Sequence, residues 1–377
     1  MKVLLHSPGL KSEISDIYRK AFNNAIELYV VTAYLTDWDS SLVINESCES
    51  FRFIIGKDFG ITKKSACSKV MDWLPPERKS QFLVADNITG FHPKAIFWKE
   101  ANGMWFTLIG SSNLTKAAFE SNYEANFHSE IDEESYLEAK HWIGEITESS
   151  VVVSEDWLEQ YVEGRVPVKK KVINAKGKGE SIVSLILPLP IGAKEKVKER
   201  RKQISIHESV KSLLTELFTQ CAHGKISSSD FYERLPELWS WDLGNRLQGK
   251  GWERQGKASD FKELSISYLK VVKALDFERD DVVAREIDRL KMLKVSARTA
   301  FFSEILCLTF PDKYPVLNKP IWAYLEDIKF RAPKKSSQGA AYIDLAKKLR
   351  LSLKENISHP AKNLAELDTV IWLAYHQ

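Results

Sequence analysis

His92 and Lys94 stand two residues apart, Gly110-Ser111-Ser112-Asn113 follows, and Glu124 comes eleven residues after Asn113. An imidazole, an ammonium, a hydroxyl, an amide and a carboxylate are the groups an enzyme needs to attack an anionic ester. They offer a nucleophile, charge stabilisation and a proton for the leaving oxygen. Spread over 33 residues, they make one site only if the chain folds them together.

A hairpin would do that. The runs from Phe91 to Trp98 and from Met104 to Ile109 are rich in aromatic and β-branched residues, and Lys99-Glu100-Ala101-Asn102-Gly103 lies between them. This predicts two strands and a tight turn. A two-residue turn at Asn102-Gly103 pairs Ala101 with Met104, which sets His92 opposite Asn113 and Lys94 opposite Ser111. Alternation then puts His92 and Lys94 on one face, with the Cβ atoms of their partners about 5 Å away.

The stretch from Gly90 to Glu124 resembles the phospholipase D superfamily, whose signature is H-x-K, then G-[ST]-x-N, then an acid. His92 and Lys94 stand at the first element, Gly110, Ser111 and Asn113 at the second, and Glu124 at the third. The longer signature has Asp five residues after the lysine, where this chain has Lys99, a departure that favours the nucleases of the superfamily over the lipases. The resemblance implies an α/β phospholipase D-like domain with a mixed sheet. It also implies attack on a phosphodiester with no cofactor and no metal. His92 would form a phosphohistidine, Lys94 and Asn113 would hold the non-bridging oxygens, Ser111 would help position them, and Glu124 would orient the imidazole. A second histidine must then protonate the leaving group. With one credible copy of the motif in the chain, the expected arrangement is a homodimer with a composite active site.

A closer literal match is set aside. His223-Gly224-Lys225 with Asp230 satisfies H-x-K-x4-D, but Val210 to Thr219 has helical periodicity and Ser227 to Asp230 reads as a helix cap. No G-S-x-N follows, and a helix–helix turn is expected there.

The chain has 377 residues, 44% of them hydrophobic, and a formal charge of +3, which suits two soluble domains and declares no global basic field. Four scattered cysteines, Cys48, Cys67, Cys221 and Cys307, form no C-x-x-C pair, so neither a disulfide framework nor a structural zinc site is expected. The first residues are too briefly apolar for a signal peptide and no run approaches about 18 apolar residues, which points to a cytoplasmic protein without membrane association.

Strand and helix patterns alternate through the first half, which reads as a nuclease domain over residues 1–163. Residues 164–203 read as a basic connecting segment, partly ordered, with a strand over Ser181 to Leu189. Twelve basic and three acidic residues from Arg165 to Lys202 leave it about nine charges positive, suiting either a phosphate track or a solvated linker. Residues 204–377 read as a mainly α-helical domain for recognition or partner binding. Within it, the stretch from Trp239 to Asp260 mixes aromatic and basic residues, fit to stack on bases unless Trp239 and Trp241 are core. The run from Leu293 to Leu325 distantly resembles helix-hairpin-helix DNA-binding modules of the base-excision glycosylases. It lacks the hairpin's glycines and has Asn318 where the glycosylase aspartate would stand, so DNA contact is expected there without glycosylase chemistry.

The expected function is metal-independent cleavage of DNA, with RNA as an alternative substrate, in a restriction or anti-phage defence nuclease that also has a defence partner protein. Two alternatives are a catalytically silent nucleic-acid-binding protein and a phospholipase, the latter disfavoured by the lack of an export signal or interfacial apolar loops.

Overall fold

A computed structural model describes residues 1–10, 12–164, 183–247 and 259–376. The chain divides into two compact units, Met1–Val183 with Arg331–Ala340, and Ser184–Phe330 with Ala341–Gln377. The basic run over 165–182 and residues 248–258 of the aromatic and basic stretch lie outside the described residues.

The strands of the first unit are β1 (Lys2–His6), β2 (Ala25–Thr32), β3 (Ser50–Ile55), β4 (Phe82–Val84), β5 (Lys94–Glu100), β6 (Trp105–Gly110), β7 (Glu124–Ile131) and β8 (Val151–Val152). They form one mixed sheet in the order β1-β7-β6-β5-β2-β3-β4-β8. Strands β2, β3 and β4 are parallel, and every other pairing is antiparallel. The parallel strands are the near-continuous apolar runs, as burial on both faces demands.

Helix α1 (Glu13–Asn24) begins at Ser12, whose hydroxyl accepts the Ser15 N–H, and buries Ile14, Tyr18, Ala21 and Phe22 along one stripe. Phe22 meets Trp38, Phe51 and Trp73 edge-on. After α2 (Lys64–Trp73) and the short α3 (Lys116–Glu120), α4 (Glu133–Glu148) starts at an Asp132 cap. It packs Tyr136, Ala139 and Ile143 with Tyr29, Val31, Ala95 and Phe97, side chains that alternate with those facing α1. The short α5 (Glu155–Gln160) completes the unit, and the returning segment is held to it by Arg331, which donates to Asp156 and Glu159.

The hairpin forms with a different register. Its partners are Ala95 with Ile109 and Lys99 with Trp105, one residue short of the pairing that an Asn102-Gly103 turn sets. Glu100 N–H donates to Met104 C=O at 2.9 Å and Gly103 N–H to Glu100 C=O at 3.0 Å, closing a three-residue loop with Gly103 at φ +86°. Such a loop, a turn plus a left-handed glycine, adds a residue relative to the two-residue turn. Lys94 is thereby aligned with Gly110, and His92 lies outside the ladder.

The second unit is helical, with α6 (Ala193–Ala222), α7 (Ser228–Arg234), α8 (Phe261–Lys273), α9 (Arg279–Met292), α10 (Ala300–Thr309), α11 (Lys319–Asp327), α12 (Gln338–Glu355, in this unit from Ala341) and α13 (Leu364–Tyr375). His223 to Ser227 is indeed a turn between helices, closed by a capping box of Ser227 and Asp230. The strand expected to reach Leu189 is absent over 183–190. Pro188 and Pro190 lack N–H groups for a ladder, and Leu185 N–H donates instead to the Ser352 hydroxyl at 2.7 Å. Trp239 is core, its indole donating to Asn245 C=O, whereas Trp241 is exposed. Asn318 caps α11 and donates to Asp368 at 2.9 Å. Among the described residues no helix is long and apolar enough to cross a membrane.

Candidate active site

The ladder brings five strand termini to one end of the sheet. Thr32 ends β2 opposite Lys94, which starts β5, and Gly110 ends β6 opposite Asn126 of β7. Glu124 starts β7 opposite His6, which ends β1. Paired residues share a face, so Thr32, Lys94, Glu124, Asn126 and His6 point to the same side. That side is the one covered by α1 further along the strands.

Lys94 is half-buried, and its Nζ lies 3.0 Å from His92 Nδ1 and donates to His92 C=O at 3.2 Å. Burial depresses the Lys94 pKa, and the Glu124 carboxylate works against that shift by favouring the charged form. His92 is exposed just before β5, with the Tyr34 ring edge-on at 5.5 Å. Burial, with the charge of Asp58, raises the Tyr34 pKa and keeps the phenol neutral.

Asn113 leaves the sheet after Gly110 and is fixed from the far side. Tyr34 N–H donates to its Oδ1 at 3.2 Å, and the Thr32 hydroxyl lies 3.1 Å from the same oxygen. With Oδ1 engaged as acceptor, its N–H groups are the part that can meet an anion. Ser111 donates to Glu124 Oε2 and accepts the Ala125 N–H at 3.0 Å, while Asn122 donates to Glu124 Oε1 at 3.0 Å. Gly110 permits this approach, since a Cβ there would lie 2.4 Å from Ala125 O and 2.4 Å from Asn126 Oδ1.

Contacts run from Asn113 by Tyr34 to His92 and on to Lys94, while Glu124 and Ser111 form a second pair that reaches Lys94 through charge alone. One expected contact is missing, because Glu124 bonds Ser111 and Asn122 but not the His92 imidazole. Lys94 occupies that place. The register that sets Lys94 opposite Ser111 is likewise replaced, and Ser111 reaches Glu124 only because the chain leaves the strand after Gly110.

Sequence reading passes over Thr32, Asn122 and His6. His6 is 5% exposed, and its Nε2 makes no hydrogen bond among the described residues. Nothing local announces it, since Lys2 to His6 has no alternation of polar and apolar residues. Tyr34, half-buried, joins the site through its backbone bond to Asn113. Among the described residues no three His, Cys, Asp or Glu side chains cluster as metal ligands do.

No family model matches the chain, and no curated protein matches it. Among solved structures it is similar to NucT from Helicobacter pylori, with 19% identity and a TM-score of 0.30, over 40% of this chain and 99% of that one. A likeness of that size adds no weight to a reading of fold or function.

Proposed function

We propose that this chain is a nuclease, a phospholipase D-like phosphodiesterase that cleaves DNA without a metal ion. The observation that carries the reading is the convergence at one sheet end of an imidazole, an ammonium held against it, an amide turned donor-side out and a buried carboxylate bonded to a serine. An anionic diester repels nucleophiles, and Lys94 with the Asn113 amide supplies the donors that offset this. A His92 ring nitrogen attacks phosphorus, the bond to the leaving oxygen breaks, and that oxygen takes a proton from an acid. Water then opens the phosphohistidine. The acid is assigned to His92 of a second copy, in a homodimer with a composite site. The setting in restriction or anti-phage defence, and a partner protein there, rest on the motif's resemblance alone.

Wild-type chain incubated in excess EDTA with labelled single-stranded DNA, duplex DNA and RNA, then quenched in denaturant, is expected to cut DNA and to hold a covalent adduct. His92→Ala should lose both, and His223→Ala, in a helix–helix turn, should keep both. Activity that disappears in EDTA and returns with magnesium would remove this reading. Binding of DNA without turnover would leave the silent binding protein in its place, and cleavage of phospholipid vesicles alone would leave the lipase.

A further inference from the structure

His92, the nucleophile of the proposed chemistry, stands on a short loop before β5, with an exposed side chain that touches Lys94 and Tyr34. Among the described residues no carboxylate bonds its ring. An imidazole that attacks phosphorus must nevertheless be held in place, since a misplacement of about 1 Å costs ~100-fold in rate.

The loop after β3 reaches both segments that meet at this ring. Gly56 N–H donates to Thr32 C=O at 3.0 Å, and a Cβ at Gly56 would lie 2.4 Å from Ala33 O and 3.0 Å from Phe91 Cδ1. The end of β3 is thus wedged between the residue before Tyr34 and the residue before His92. On the Tyr34 side, the Thr62 hydroxyl donates to Gly56 C=O at 2.6 Å and accepts the Leu35 N–H at 3.3 Å. On the His92 side, Asp58 Oδ2 accepts the Gly90 N–H at 2.7 Å and the Phe91 N–H at 3.2 Å, while Phe91 is buried. These are bonds to an ionised acceptor, the stronger kind. Lys57 pairs with the buried Asp86 at 2.7 Å, which steadies the chain just before Asp58. Phe59, just after it, is exposed and sits at φ +61°, a left-handed angle that residues other than glycine seldom adopt. Backbone strain of this kind persists where surrounding contacts over-determine the chain, and it is concentrated at functional sites.

We infer that Asp58 is a positioning residue for His92, which fixes the place of the imidazole by holding the two backbone amides that precede it. It does so where Glu124, occupied by Ser111 and Asn122, does not. Both bonds fall on one oxygen, so the role belongs to the acceptor's position rather than to the charge. The inference rests on the nuclease reading above and adds a residue to the same site.

The test separates position from charge in the full-length chain. Asp58→Asn keeps an oxygen in the place of Oδ2 and removes the charge, whereas Asp58→Glu keeps the charge and displaces the acceptor by a methylene. With single-stranded DNA in EDTA, Asp58→Asn is expected within about threefold of wild-type kcat. Asp58→Glu and Asp58→Ala should fall about 10–100-fold, with KM within about twofold of wild type. The urea midpoint of each variant shows that it is folded, and should Asp58→Ala not fold, the Asn and Glu variants decide between them. The reverse order, with Asp58→Glu active and Asp58→Asn impaired, would overturn the inference, as would wild-type kcat in Asp58→Ala or a loss confined to KM. The ring-carbon NMR signals of labelled His92 read the same role without turnover. They should report one ring orientation in wild type and Asp58→Asn, and an average over several in Asp58→Glu and Asp58→Ala. If wild type cuts no DNA in EDTA, the nuclease reading falls and these signals alone decide the positioning. DNA cleavage with His92 signals unchanged by Asp58→Glu and Asp58→Ala spares the nuclease and sinks the role of Asp58.

Discussion

His92 and Glu124 share no hydrogen bond among the described residues, so in the proposed chemistry the carboxylate would act through Ser111 and through the charge it sets against Lys94. Replacing Glu124 with Gln keeps the shape and removes that charge. Turnover is expected to fall about 10–100-fold while KM moves little, as when a residue supporting a catalytic group is lost. Steady-state kinetics on a DNA substrate decides it, and an unchanged kcat makes Glu124 a purely structural residue. Gly110 is constrained by space rather than by backbone angle. Its Cβ would meet backbone and side chain of β7 at 2.4 Å, so Gly110→Ala must push β6 away from β7. The expected cost is about 1–3 kcal/mol in chemical unfolding, with Ser111 displaced from Glu124. A variant as stable as wild type would mean that the strand end yields.

At the scale of elements, α6 carries a histidine that the proposed chemistry does not use. His207 is wholly buried, neither ring nitrogen has a hydrogen-bond partner among the described residues, and its edge faces Trp239. Burial, with Lys211 nearby and against Glu208 and Glu304, pushes its pKa down to about 4 from an ordinary value near 6.5. The unfolded chain therefore binds this proton first, and stability is lost as pH falls from about 6.5 to about 4, after which the loss levels off. The shift corresponds to about 3 kcal/mol. His207→Leu should flatten that part of the pH dependence, seen as a smaller drop in urea midpoint between pH 7 and pH 4.5. An equal drop in both proteins would show that the ring is not held neutral. Elsewhere in the helical unit the buried Arg246 is paired with Glu304 through two bonds of 2.8 and 3.0 Å.

For the whole molecule, the open question of the proposed chemistry is the second acid. A composite site in a homodimer needs His92 from both chains, one to attack and one to protonate. When equal amounts of wild type and His92→Ala are exchanged at random, about a quarter of dimers are wild type in both chains, and activity should fall to about a quarter of that of the same total of wild type. Two independent sites would leave about half. Sizing that shows mixed dimers makes the result readable. A half, or an active monomer, would turn attention to His6, the buried imidazole opposite Glu124 in the same chain.

The motif letters, the apolar runs of β2 and β3, the cap at Ser227 and the helical second half were legible in the sequence because each is a local signal of period, turn chemistry or residue type. Local signals also set aside His223, where capping chemistry outweighed a literal motif. They could not choose between two hairpin loops that differ by one residue, because both satisfy Asn102-Gly103 and the choice is made where β5 and β6 meet β2 and β7. Nor could they turn the Asn113 amide, whose oxygen is held by Thr32 from 81 residues away, or bring the first strand to the edge where His6 meets Glu124. Those pairings are decided by the burial of a whole sheet, since a strand carries its alternation within itself but finds its neighbour and its register only in the folded chain.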